Sequence, residues 1–141
     1  MRELLDYAMS FLGVPYIWGG NNRLSGMDCS GFVCELLRSA GEIGPEDLSA
    51  QGIYDKLHLT GSLDSYSPGS LAFYGQSVTQ ITHVGFLIDK YRIIEAAGGG
   101  RECDTFEEAK ARGAMVRIRP IKYRKDLVAM VKPRYYQIGL I

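Results

Sequence analysis

Cys29 and His83 are the residues whose types and positions in this chain point to chemistry. Cys29 stands where a glycine-rich stretch, Tyr16-Ile17-Trp18-Gly19-Gly20, gives way through Met27-Asp28 to the run Cys29-Ser30-Gly31-Phe32-Val33. In a helix's first turn the unpaired N–H groups and the positive end of the macrodipole favour a thiolate, the nucleophilic form of cysteine. Attack on a carbonyl also needs a base within hydrogen-bond reach, and the base needs a third group to hold its ring. His83 is the leading base. Of the two histidines, His58 falls in the polar segment Asp55-Lys56-Leu57-His58, whereas His83 falls in Thr82-His83-Val84-Gly85-Phe86, a largely apolar strand pattern. A satisfied core histidine fits the same pattern, and spacing alone does not choose between the two roles.

The elements around these residues follow from periodicity and punctuation. Leu4, Leu5, Ala8, Met9, Phe11 and Leu12 recur at helical spacing and stop at Gly13, with Pro15 just beyond, which predicts a helix over residues 2–12. Residues 13–28 read as a loop bearing the aromatic pair Tyr16 and Trp18. Phe32, Val33, Leu36 and Leu37 line one face of a second helix over residues 29–40, with Asp28 as N-cap and Gly41 just past its end, so Cys29 falls in the first turn. A short helix fits Ala50 to Leu57, and another Glu107 to Arg112. Strand patterns cover Ser70 to Tyr74, Ile81 to Ile88, Arg92 to Ala97, Met115 to Arg119 and Leu127 to Lys132, with Asp89-Lys90-Tyr91 joining the second and third as a hairpin. Helices first and strands later predicts an α+β domain, helices packed on a mainly antiparallel sheet.

Composition bounds what these elements can do. A chain of 141 residues with 46% hydrophobic and 23% charged residues fits one compact domain. No apolar run approaches the roughly 18 residues of a membrane span. Sixteen basic and sixteen acidic residues cancel, which argues against a nucleic-acid binder acting through bulk charge. The distribution is uneven: residues 1–108 carry seven basic against fifteen acidic, and residues 109–141 carry nine against one. That basic C-terminal region reads as a solvated face, or as a contact surface for a polyanionic wall polymer through Arg117, Arg119, Lys122 and Arg124. Cys29, Cys34 and Cys103 are an odd set without a C-x-x-C, so neither a disulfide framework nor a zinc site is indicated, and no metal or cofactor is expected. Arg2, Glu3 and Asp6 interrupt what would be the apolar stretch of a signal peptide. The expectation is delivery with a bacteriophage virion, or as one domain of a larger exported protein.

Cysteine at a helix start with histidine on a strand is the layout of papain-like folds. Four blocks in order, Tyr16-x-Trp18-Gly19-Gly20, Asp28-Cys29-Ser30-Gly31-Phe32-Val33, Pro68-Gly69-Ser70-Leu71-Ala72-Phe73-Tyr74 and Ile81-Thr82-His83-Val84-Gly85, resemble the signature blocks of the NlpC/P60 cell-wall peptidases. The resemblance implies a papain-like α+β fold and a cysteine endopeptidase of peptidoglycan stem peptides, typically at the γ-D-glutamyl bond to diaminopimelate or lysine. Position by position it makes Cys29 the nucleophile and His83 the base that later protonates the leaving amine. Asp28 and Ser30 match positions that help hold the free amino end of the stem peptide, and Tyr16 a tyrosine near the oxyanion. A helix cap is the plainer reading of Asp28, and core packing that of Tyr16 and Trp18.

The family's third catalytic position, usually histidine, lies twelve residues after the first histidine and is here Glu95. A carboxylate accepting from the imidazole N–H would orient the ring and favour the imidazolium; an exposed strand glutamate is the alternative. Register decides between them, because a two-residue turn would put Glu95 on the opposite face from His83. A three-residue Asp89-Lys90-Tyr91 loop pairs Ile88 with Arg92 and Gly85 with Glu95, making Glu95 a same-face diagonal neighbour of His83. Ser70 stands where the family usually has aspartate, a change expected to bear on loop structure. Cys34, five residues past Cys29, and Cys103, in a glycine-rich segment, are expected to be bystanders. Two other functions remain compatible with these residues: a papain-like thiol amidase or transacylase on another amide, and a non-catalytic wall-binding module.

Overall fold

A computed structural model describes residues 1–135. Helix α1 spans Arg2–Met9, shorter than its apolar pattern. After Met9 the chain tightens into three-residue hydrogen bonds, Phe11 N to Ala8 O and Leu12 N to Met9 O, so Phe11 stays buried outside the α-helix proper. Two short strands, β1 (Asn21–Asn22) and β2 (Gly26–Met27), form a small hairpin inside the segment expected to be loop. Its signal was local: Asn22 Oδ1 accepts from the N–H groups of Leu24 and Ser25, closing the turn.

Helix α2 spans Cys29–Ser39 and buries Phe32, Val33, Leu36 and Leu37, as its apolar stripe predicts. Helix α3, Ala50–Leu57, is capped by the Ser49 side chain, which accepts from Gly52 N. The strands follow: β3 (Ser62–Leu63), β4 (Leu71–Gly75), β5 (Ile81–Leu87), β6 (Arg92–Ala97), helix α4 (Phe106–Arg112), β7 (Met115–Pro120), a 3-10 turn (Ile121–Tyr123) and β8 (Leu127–Lys132). The six-stranded sheet has the order β3-β8-β4-β5-β6-β7, every neighbour antiparallel. This is the α+β, papain-like arrangement. Ser70, just before β4, is fully buried, and its hydroxyl accepts from Ser67 N, a loop-shaping contact.

The sheet has two buried faces. Phe73, Val84, Phe86 and Ile94 join Phe11, Phe32, Leu36 and Leu37 in the main core. Ala72, Tyr74, Leu87 and Ile93 face the other way, onto Ile121 and Met130. By the same alternation His83 lies on the Leu87 face of β5 and Glu95 on the Ile93 face of β6. The β5–β6 register pairs Phe86 with Ile94 and Leu87 with Ile93, and Ile88 N donates to Arg92 O, which leaves a three-residue loop between them. Asp89 holds it closed, its Oδ1 accepting from the N–H groups of Tyr91 and Arg92.

Candidate active site

Asp28 fixes the start of α2 and the aromatic loop at once. Its Oδ1 accepts from Gly31 N at 2.8 Å as N-cap, and its Oδ2 accepts from Gly19 N at 3.0 Å. Its own N–H donates to Gly20 O at 3.0 Å. The Ser30 hydroxyl donates to Asp28 Oδ1 at 3.3 Å. The loop therefore lies directly on the helix start. Gly31 makes that approach physically feasible, since a Cβ there would sit 2.1 Å from Gly20 O.

The rest of the loop is tied to the far end of the chain. Trp18 N donates to Cys103 O at 2.7 Å and Tyr16 N to Ala114 O at 3.1 Å. The Tyr16 ring lies against Gly99 so closely that a Cβ there would stand 2.2 Å from it. Cys103 is fully buried, its thiol donating to Tyr16 O, and Cys34 is fully buried with its thiol on Leu48 O. Both are packing residues of the loop and helix. Only Cys29 among the three is partly exposed.

Tyr16, Trp18, Cys29, Thr82, His83, the Ala97–Gly100 segment, Arg117, Tyr123 and Arg124 line a cleft of about 490 Å³. Cys29 from the start of α2 and His83 from β5 both line it, and the thiol is among the groups that favour the protonated imidazole. His83 Nε2 lies 2.6 Å from Glu95 Oε1, which leaves Nδ1 as the ring nitrogen not taken by the carboxylate. Glu95 has no exposed surface, so the reading of an exposed strand glutamate fails. Asp28 and Ser30 flank Cys29 but do not line the cleft, and the Asp28 carboxylate is engaged by the backbone.

The charges are mutually supporting. Burial pulls His83 toward its neutral form, but hydrogen bonds and charge from Cys29 and Glu95 outweigh that and push its pKa up to about 9. Burial pushes the Glu95 carboxyl up, yet the His83 imidazolium, the Tyr123 hydroxyl and Arg117 together hold it below its ordinary value. Burial, with Cys29 and Asp28 nearby, raises the Tyr16 phenol, so it stays a neutral hydrogen-bond donor. The pairing that emerges is an imidazole whose protonated form is favoured, held by a buried carboxylate in the cleft that Cys29 also lines.

Sequence reasoning missed the groups surrounding Glu95. The Tyr123 hydroxyl reaches both carboxylate oxygens, at 2.9 and 2.7 Å, and Arg117 Nε lies 3.3 Å from Oε2. Arg117 sits directly opposite Glu95 in the β6–β7 register, a cross-strand pair of opposite charge. Of the four basic residues assigned to a polymer surface, Arg117 is thus paired inside the cleft and Arg124 is paired in two contacts with Asp126; Arg119 and Lys122 are exposed. Among the described residues, no three His, Cys, Asp or Glu side chains are grouped to hold a metal, and no helix is long and apolar enough to cross a membrane.

The model of the NlpC/P60 family matches residues 13–120. A bifunctional muramidase/DL-endopeptidase, CwlT, of Bacillus subtilis (strain 168) is 31% identical over 125 residues, covering 86% of this chain and 36% of that protein. A gamma-D-glutamyl-L-lysine dipeptidyl-peptidase of the same strain is 29% identical over 105 residues, covering 73% of this chain and 34% of its own length. The chain thus spans about a third of the length of these relatives. Among solved structures, an NlpC/P60 family protein from Bacillus cereus ATCC 10987 superposes with a TM-score of 0.68 at 22% identity, over 95% of this chain and 39% of that one.

Proposed function

Because this chain belongs to the NlpC/P60 family, we propose that it is a peptidoglycan hydrolase, a cysteine endopeptidase that cuts an amide bond of the stem peptide. The bond is the γ-D-glutamyl link to diaminopimelate or lysine, by analogy with the relative whose name specifies gamma-D-glutamyl-L-lysine. The observation that carries the reading is the thiol at a capped helix start beside an imidazole clamped by a buried carboxylate.

The Cys29 sulfur attacks the scissile carbonyl carbon, and the C=O electron pair moves onto oxygen. The backbone N–H of Cys29 and the Tyr16 hydroxyl are the donors for that oxyanion. Collapse expels the amine, which takes the proton from His83 and leaves a thioester on Cys29. A water then gives its proton to His83 and attacks the thioester; the second tetrahedral intermediate expels the thiolate. Glu95 holds the ring through both proton transfers. Trp18, 48% exposed on the cleft wall, supplies an apolar face for the substrate. Asp28 and Ser30, which do not line the cleft, hold the start of α2 and the aromatic loop in place beside the nucleophile. The substrate places the enzyme at the cell wall, and Arg119 and Lys122, exposed in the basic C-terminal region, are available to an anionic wall polymer.

Mass spectrometry of stem-peptide digests tests the proposal. The native chain yields fragments split after D-glutamate and a Cys29→Ala variant yields none. Intact stem peptides with cleavage of a different amide would favour the amidase or transacylase alternative.

A further inference from the structure

We propose that Tyr123 and Arg117 are positioning residues that hold the Glu95 carboxylate against His83. This rests on the Cys29–His83 reading above. The geometry is closed on every side. Glu95 Oε1 is shared by His83 Nε2 and the Tyr123 hydroxyl, and Oε2 by the Tyr123 hydroxyl and Arg117 Nε. A carboxylate with both oxygens engaged by donors on three elements has no rotamer freedom left, so its plane and its distance from the imidazole are set together.

The holders are themselves held. Tyr123 ends the 3-10 turn after β7, and that turn is pinned by Ile121 O accepting from the Tyr74 hydroxyl at 2.7 Å and Ile121 N donating to Tyr91 O at 2.8 Å. Arg117 lies beside the Tyr123 ring, 6.0 Å from its centroid. Because Glu95 has no contact with water, any donor lost from it is not replaced by solvent, and the neutral carboxyl becomes easier to form. The groups facing Glu95 are His83 from β5, Tyr74 from β4, Arg117 from β7 and Tyr123 from the turn, with Arg124 and Asp126 paired beyond them. Burial and the adjacent carboxylate push the Tyr123 phenol up to about 12, so it remains a donor across the working pH range.

The test is the rate at which iodoacetamide alkylates Cys29, followed by mass spectrometry at that residue as a function of pH, in the native chain and in Tyr123→Phe, Arg117→Met and Arg117→Lys variants. Tyr123→Phe is expected to slow alkylation about tenfold and to move the acidic limb of the profile upward by about half to one pH unit. Arg117→Met moves the limb the same way, and Arg117→Lys, which keeps the charge, restores most of the native profile. Native profiles in both Tyr123→Phe and Arg117→Met, or equal damage from Lys and Met at 117, would overturn the assignment. The readout needs no peptide. A native chain that alkylates as described but leaves stem peptides intact would overturn the peptidase reading while supporting this one.

Discussion

Glu95 Oε1 lies 2.6 Å from Nε2 of His83, and the carboxylate that carries it is wholly buried. A buried negative charge at that distance stabilises the imidazolium and fixes which nitrogen carries the outward proton.

Replacing that charge by an isosteric amide isolates its contribution. Glu95→Gln is expected to lower the rate of stem-peptide cleavage at least about tenfold. The basic limb, set in the native chain by His83 losing its proton near 9, moves to lower pH because the imidazolium loses its counter-charge. A basic limb left in place would show that Cys29 alone holds the proton.

Much of this was legible in the sequence, for identifiable reasons. The hairpin register followed from the three-residue Asp89-Lys90-Tyr91 loop, because side chains alternate strictly along strands. The cap on α2 followed from Asp28 before an apolar stripe. Helix α1 ended early, since periodicity does not distinguish an α-turn from the tighter turns that follow Met9. Tyr123 was invisible because a 3-10 turn carries no periodic signal and nothing local ties residue 123 to residue 95. Arg117 was read as one of a basic group because its partner is set by the β6–β7 register, which depends on a connection through α4 too irregular to count across.

Thiol accessibility separates the nucleophile from the bystanders. Cys34 and Cys103 have no exposed surface, while Cys29 opens onto the cleft. A disulfide-exchange reagent such as DTNB is expected to titrate one thiol per chain in the native state and three in denaturant. Two or more fast thiols in the native protein would contradict this packing.

The contact between the aromatic loop and α2 predicts a graded series. Asp28→Ala removes the acceptor for both Gly31 N and Gly19 N and is expected to cost about 1–2 kcal/mol in urea unfolding. Asp28→Asn costs less, because its carbonyl still caps the helix while its amide group can no longer accept from Gly19. Gly31→Ala should cost about 2 kcal/mol or more, since its Cβ would meet the Gly20 carbonyl at 2.1 Å and both are backbone-bound. It should also slow alkylation of Cys29. Native stability in Gly31→Ala would mean the loop does not lie on the helix.

The same charged pair makes stability depend on pH with a defined sign. His83 titrates near 9 in the folded chain against an ordinary value of 6.5, so its stabilising contribution is complete below about 6.5 and is lost as pH rises toward 9. Glu95 is held below its ordinary value of 4.5, so its contribution is complete above that value and is lost as the pH falls through the lowered one. The two together give a plateau of stability between about 4.5 and 6.5. Urea midpoints measured across this range should decline from pH 6.5 to 9 in the native chain, and that decline should shrink in a His83→Phe variant, which carries no titrating imidazole at 83. An equal decline in both proteins would assign the alkaline loss to other groups and leave the imidazolium without a role in holding the fold.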